Sequence, residues 1–195
     1  MRCILLMLCS RPHLHMIYKS SLTQWNLHYR TLPPMYQVDS CGRRYVHFKH
    51  IPLIEYIQSE APAFRRPTNG PSALERRALL HALSALPSTC RTIVKVTAKY
   101  YIHNFTQILR NFSDNETIVQ SRTEAWLQRS EKCGGHRMKS SEVFQIPVDR
   151  LGAMLHSHKG YMECAVGRLS NVSHFSRLNI LRQVLRSDGS VLSFL

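Results

Sequence analysis

Apolar residues recur with two different periods in the second half of the chain, and their order constrains the fold more than any other feature. Thr92 to Ala98 alternates apolar and polar residues, which predicts a strand. Tyr101 to Phe112 repeats its apolar residues at helical spacing, which predicts an amphipathic helix. The same criteria predict strands at 116–123, 161–166 and 191–195, a short extended segment at 143–146 and a second helix at 171–186.

The resulting order is strand, helix, strand, strand, helix, strand. It predicts an α+β fold of the ferredoxin-like split βαββαβ type, in which two helices pack on one face of a four-stranded antiparallel sheet. The other sheet face then remains open to a ligand. We expect this domain to span residues 88–195 and to carry a basic N-terminal extension.

The extension divides into two parts. Residues 1–38 contain basic and hydroxyl side chains but no acidic residue, which is typical of a mitochondrial presequence or a basic tail. Residues 39–87 are predicted to contain a short basic strand, a Pro-rich linker and a helix from Ala73 to Leu86. A capping box, Ser72-x-x-Glu75, marks the start of this helix, and Pro87 marks its end.

The charge balance favours a polyanionic partner. The chain has 26 Lys and Arg against 12 Asp and Glu, a net charge of +14. Such an excess destabilises a compact protein unless an anion compensates it, and nucleic-acid phosphates are the commonest such anion. Arginine strongly outnumbers lysine, which suits structured RNA, although a compositional bias of the genome would produce the same ratio.

No pattern typical of a catalytic, cofactor, metal or membrane site stands out. The six cysteines show no Cys-x-x-Cys spacing and are interpreted mostly as reduced thiols. A zinc site from Cys133, His136, His156, His158 and Cys164 would match no standard finger spacing, so no metal is predicted. Phosphate-loop, nucleophile-elbow and Rossmann signatures are absent, and no apolar run approaches 18 residues.

Three short motifs resemble a known family. They are Gly135-His136-Arg137, Gly160-Tyr161 and Asp188-Gly189-Ser190-Val191. In this order, residues 90–195 resemble the bacterial-type small-subunit ribosomal protein number six, especially its mitochondrial members. The resemblance implies a structural constituent of the mitochondrial small ribosomal subunit. Such a protein binds ribosomal RNA beside a neighbouring small-subunit protein, without catalysis, cofactor or small-molecule substrate.

The predicted RNA contacts lie in two loops. One is the hairpin around Arg137 and Lys139, and the other runs from Arg150 to Lys159. Their cationic side chains would meet phosphates, and His156 and His158 would hydrogen-bond or stack. Arg182 and Arg186 are interpreted as part of a solvated helix face.

Two alternatives stay open at this point. Four Asn-x-Ser/Thr sequons and a short apolar segment from Cys3 to Cys9 fit a secreted, N-glycosylated signalling or interaction protein. The sequons begin at Asn104, Asn111, Asn115 and Asn171. The second alternative is that residues 1–89 are not a naturally selected folded domain. The expected location is therefore mitochondrial, with secretion as the alternative.

Overall fold

The computed structural model describes residues 1–8, 15–40, 55–58, 70–120, 141–158, 160–175, 178, 180–185 and 191–194. The strands in these ranges are β1 (Arg2–Leu8), β2 (Met35–Asp39), β3 (Glu55–Gln58), β4 (Thr92–Thr97), β5 (Tyr100–Ile102), β6 (Ile118–Val119), β7 (Val143–Pro147), β8 (Ser173–His174), β9 (Ile180–Leu185) and β10 (Val191–Phe194). The α-helices are α1 (His15–His28), α2 (Gly70–Ala85), α3 (Phe105–Arg110), α4 (Val148–Ser157) and α5 (Met162–Gly167). A 3-10 helix at Tyr29–Thr31 follows α1.

A seven-stranded mixed sheet forms the centre of the fold, in the order β3-β2-β1-β4-β7-β6-β8. The neighbours β3, β2, β1 and β4 are parallel, and β7 is antiparallel to β4. Parallel neighbours need a crossover connection, and α1 and α2 lie in the connections from β1 to β2 and from β3 to β4. A smaller antiparallel sheet has the order β10-β9-β5.

Helices cover both faces of the central sheet. One apolar cluster packs α2, α4 and α5 against the sheet, and a second packs α1 and α3 against the opposite face. Successive residues of β1 alternate between the two clusters, so all of β1 except Arg2 is buried. A strand covered on both faces has no reason to alternate in polarity, which explains the continuous apolar run of β1.

The predicted ferredoxin-like α+β fold is wrong. The central sheet is mixed rather than antiparallel, and its two faces carry different sets of helices. The structure is a Rossmann-like α/β fold with three layers, helix, sheet and helix. One sheet contains strands from all three predicted segments, 1–38, 39–87 and 88–195. Near its centre, β1 of the first segment pairs with β4 of the third.

Several local predictions are confirmed and two are wrong. The strands at β4, β7 and β10 and the helix α2 form where the sequence predicts them, within a few residues. The predicted strand at 161–166 is instead helix α5, which buries Met162, Ala165 and Val166 at helical spacing. The predicted helix at 171–186 is instead β8 and β9, and it would begin at Asn171, whose φ of 50° is incompatible with a helix.

Three further observations bear on the sequence predictions. Cys164 is disulfide-bonded, so it is not a reduced thiol, whereas the buried Cys3 and Cys90 are free. Among the helices described, none is both long and apolar enough to cross a membrane. Most of the basic strand predicted within residues 40–58 lies outside the described residues, which resume at β3.

Candidate functional site at the carboxyl edge of the sheet

The order of the parallel strands reverses between β1 and β4. From β1 the chain moves through α1 to β2 and then to β3 on one side, and α2 then returns it to β4 on the other side of β1. At such a switch point the two connections leave in opposite directions, which opens a crevice outside the carboxyl ends of the strands. Open α/β sheets bind their ligands in this crevice.

A crevice is present at this place. Its volume is about 130 Å³, and β1 and β4 contribute Met7, Leu8 and Thr97 to its lining. Met7 and Thr97 are register partners, and the amide of Ala98 donates to the Met7 carbonyl at 2.7 Å. The other described lining residues are Tyr18 of α1, Ser40 after β2, and Leu74 and Glu75 of α2. The walls thus combine three apolar side chains, three hydroxyls and one carboxylate.

A buried lysine lies directly behind this crevice. Lys95, in the middle of β4, is 1% exposed. Its Nζ lies 2.6 Å from Oε1 of Glu75 and donates to Thr97 Oγ1 at 3.2 Å and to the Ser141 carbonyl. Two hydrogen bonds and one ion-pair contact surround the ammonium group, so the cation is accommodated in the core. Two of these partners, Glu75 and Thr97, also line the crevice.

Glu75 presents its carboxylate asymmetrically. Oε1 is buried against Lys95, at ion-pair distance but off the direction of a good hydrogen bond. The side chain as a whole is 22% exposed, and since Oε1 is not the exposed atom, the exposure belongs to the rest of the side chain. Glu75 therefore lines the crevice, and the buried ammonium group of Lys95 holds its carboxylate in place through Oε1.

Further acidic groups border the same edge. Glu142 precedes β7, and its Oε1 accepts a hydrogen bond from the Tyr100 hydroxyl at 2.7 Å and lies 3.7 Å from Nζ of Lys99. Ser141 donates to Glu163 of α5 at 3.1 Å, which links α5 to the carbonyl that holds Lys95. In the described part of the chain, no group of three or more His, Cys, Asp or Glu side chains is arranged to hold a metal ion.

Of the residues predicted to bind RNA in two loops, Arg150, His156 and His158 lie within the described residues. Arg137, Lys139 and Lys159 lie outside the described residues. The predicted loop from Arg150 to Lys159 is mostly helix α4. Arg150, in its first turn, donates to Thr117 Oγ1 at 2.6 Å and to the Ser170 carbonyl.

The two histidines of this region differ in environment. His156 is exposed in the last turn of α4, and His158 follows the helix and is partly buried. Within the described part of the chain, Nε2 of His158 is buried and has no hydrogen-bond partner, and a Cβ on Gly160 would lie only 3.0 Å from it. Desolvation lowers the pKa of His158 below its usual 6.5, and Arg168 and Arg76 add to this effect. A hydrogen bond to the Tyr161 backbone opposes the shift in part.

This environment predicts a pH dependence of stability. Because the pKa of His158 is lower in the folded protein, the unfolded chain binds the proton first as the pH falls below 6.5. The free energy of unfolding should therefore decrease from that pH down to the folded pKa and then level off. We expect His158→Gln to reduce this decrease in urea titrations between about pH 7.5 and about pH 5. An unchanged pH dependence in the variant would contradict the assignment.

A larger cavity of about 690 Å³ lies at the opposite, amino edge of the sheet. Leu83 and Leu86 of α2, Cys90, Arg91 and Asp149 contribute to its lining. A hydrogen bond between the thiols of Cys3 and Cys90 raises the pKa of Cys3 and lowers that of Cys90. Despite its size, this cavity is on the side where α/β sheets do not bind their substrates, so we assign the site to the smaller crevice.

Solved glycosyltransferases have a similar fold. An active-site mutant of LgtC matches with a TM-score of 0.50 and 12% sequence identity, over 89% of this chain and 72% of that chain. The galactosyltransferase LgtC in complex with donor and acceptor sugar analogs matches with a TM-score of 0.49 and 10% identity, over 89% and 73%. Mouse xyloside xylosyltransferase 1 matches with a TM-score of 0.44 and 7% identity, over 85% and 79%. No family model and no curated protein sequence matches the chain.

The Rossmann-like sheet, shared with the LgtC mutant, overturns the resemblance to ribosomal protein number six. Gly160-Tyr161 precedes helix α5 instead of opening a strand, and the other two motifs lie wholly or mostly outside the described residues. The predicted non-catalytic, ribosomal RNA-binding role rested on that resemblance and is wrong with it, because the chain has a Rossmann-like α/β fold similar to that of an LgtC mutant. The predicted ribosomal partners and the predicted lack of a small-molecule substrate fall with it, and the secreted signalling protein fits no better. The mitochondrial location stays a prediction.

Proposed function

We propose that this protein is a glycosyltransferase that binds a nucleotide-activated sugar in the crevice between β1 and β4. In the reaction, the bond from the anomeric carbon to the donor phosphate breaks and a bond from that carbon to an acceptor hydroxyl oxygen forms. The hydroxyl proton is released, and the nucleotide is the leaving group. The donor is therefore a small-molecule substrate, and the acceptor carries a nucleophilic hydroxyl.

The observation that carries the proposal is the position of the crevice. It lies at the switch point of a Rossmann-like sheet, where nucleotides bind in folds of this kind. The fold resembles that of LgtC at a TM-score of 0.50, and LgtC is a galactosyltransferase. The lining of hydroxyls, apolar side chains and one carboxylate suits a ligand with a flat apolar ring and several hydroxyl groups.

Nucleotide binding tests the proposal directly. We expect one of UDP, GDP, ADP or CMP, and the corresponding sugar nucleotide, to raise the melting temperature and to bind in isothermal titration calorimetry. Leu74→Trp places a larger side chain in the crevice and should weaken this binding by at least about tenfold. Release of the free nucleotide from the sugar nucleotide, with and without added glycan acceptors, then reports the transfer itself.

The matched control is Leu83→Trp. Leu83 is on the same helix, α2, and lines the cavity at the amino edge, so the substitution there should leave nucleotide affinity unchanged. If no nucleotide binds, or if the two tryptophan variants weaken binding equally, the proposal is wrong.

A further inference from the structure

Two free cysteines contact each other at the amino edge of the sheet, opposite the crevice. Cys3 is in β1, and Cys90 ends the turn from Pro87 that leads into β4. Both belong to one apolar cluster, and their thiols are hydrogen-bonded to each other. Of the three cysteines among the described residues, Cys164 is disulfide-bonded, so this pair is the one present as thiols.

The two thiols differ in their access to solvent. Cys90 is 6% exposed and lines the cavity of about 690 Å³, whereas Cys3 is fully buried and is not among the described lining residues. Cavities of this size admit small organic molecules. A reagent that enters from solvent therefore reaches Cys90 first and finds Cys3 behind it.

The two thiols also differ in reactivity. The hydrogen bond from the Cys3 thiol to the sulfur of Cys90 lowers the pKa of Cys90 and raises that of Cys3, although burial raises both. A thiolate, not a thiol, attacks a disulfide. Cys90 is therefore the attacking group, and Cys3 retains its proton at that stage.

We propose that Cys90 is a modification site for small disulfides such as glutathione disulfide, and that Cys3 resolves the product. The Cys90 thiolate attacks one sulfur of the reagent, whose S–S bond breaks, and one glutathione leaves and takes up a proton. The sulfur of Cys3 then loses its proton and attacks Sγ of Cys90, and the second glutathione leaves. Two protein thiols are oxidised to one disulfide, and one glutathione disulfide is reduced to two glutathione molecules.

The backbone around the pair allows the bond to form. The turn at 87–89 is exposed and lies outside the strands, so Cys90 can move toward β1 without breaking the pairing of β4. The disulfide would tie β1 to the segment that enters β4. Neither cysteine is among the described residues that line the crevice, so the inference stands independently of the proposed function.

The test treats the full chain with glutathione disulfide, without prior reduction because Cys164 is disulfide-bonded. Free thiols are blocked at intervals with N-ethylmaleimide, and the digested protein is analysed by mass spectrometry without reduction. In the wild type, glutathione should appear on Cys90 first, and a peptide linking Cys90 to Cys3 should replace it. Fragmentation of the linked peptide distinguishes Cys3 from Cys9, its neighbour in the sequence.

Two matched variants each remove one thiol of the pair. Cys3→Ala removes the resolving group, so the glutathione adduct on Cys90 should accumulate and persist. Cys90→Ala leaves only the buried thiol, and Cys3 should then react at least about tenfold more slowly than Cys90 does in the first variant. Circular dichroism establishes that both variants are folded, and if either is not, the order of products in the wild type decides.

Three results would overturn the inference. The first is a wild type that stays unmodified while the urea-unfolded chain reacts, since the cavity would then not give access to Cys90. The second is a linked peptide that joins Cys90 to a cysteine other than Cys3. The third is an equal rate of modification at Cys3 and Cys90 in the two variants, because access and thiol pairing would then not distinguish them.

Discussion

Replacing Trp25 with alanine is expected to lower the free energy of unfolding by about 4 kcal/mol. Trp25 is fully buried in α1, and its ring meets Tyr101 and Phe105 edge-on, at centroid distances of 5.1 and 5.2 Å. Its Nε1 donates to the Tyr100 carbonyl at 2.7 Å. The alanine variant therefore loses a large apolar contact and the hydrogen bond that the Trp25 indole donates. Such a loss is a large fraction of the stability of an ordinary domain.

Urea unfolding followed by circular dichroism measures this effect, with Trp25→Phe and Leu27→Ala as comparisons. Phenylalanine keeps part of the packing but not the hydrogen bond, so its cost should be intermediate. Leu27 is on the same helix and 67% exposed, so its removal should cost less than about 0.5 kcal/mol. If Trp25→Ala cost as little as Leu27→Ala, α1 would not be part of the folded core.

The first 38 residues show that one sequence pattern can fit two different structures. The segment is apolar, basic and free of acidic residues, as a presequence is. A central strand of a parallel sheet has the same apolar continuity, because both of its faces are covered. Whether a second layer of helices covers the outer face depends on residues far away in the sequence, such as Phe105 and Ile108 of α3.

The same physical argument explains which of the later elements could be predicted from the sequence and which could not. α2 could be predicted because a long helical period ends at a proline, although the helix begins at Gly70, two residues before the predicted cap Ser72. The six-residue run at 161–166 fits period 2 and period 3.6 almost equally well, since Met162, Cys164, Ala165 and Val166 are all buried. Strand β9 forms because β5 and β10 pair with it, and of these two partners only β10 is predicted from its local pattern.

The site itself was missed because its residues looked ordinary in isolation. Glu75 fits a capping box with Ser72, and Lys95 lies on the polar face of an alternating strand, so neither residue indicates a site by itself. The signal that could have identified them is a lysine within a strand that the fold buries on both faces, since a buried ammonium requires an acidic partner. That partner is 20 positions away on α2, and only the packing of α2 on the sheet brings the two together.

Replacing Glu75 with leucine is expected to cost about 3 kcal/mol, because it leaves the ammonium of Lys95 buried and without its counter-charge. Lys95→Met alone should cost less, since Glu75 is 22% exposed and its carboxylate can be hydrated from the crevice. The double variant should recover most of the loss, because an apolar pair of similar volume replaces a buried ion pair at little cost. Urea unfolding of the four proteins gives a coupling free energy, which we expect to be about 2 kcal/mol.

The pair formed by Lys99 and Glu142 provides the matched control for this cycle. Its two side chains are 36% and 30% exposed and lie 3.7 Å apart, so solvent screens their attraction. Lys99→Met and Glu142→Gln should couple by no more than about 0.5 kcal/mol, and the amide oxygen of the second variant would still accept from the Tyr100 hydroxyl. If the Glu75 and Lys95 substitutions were as nearly additive as this surface pair, Lys95 would not depend on Glu75 for its place in the core.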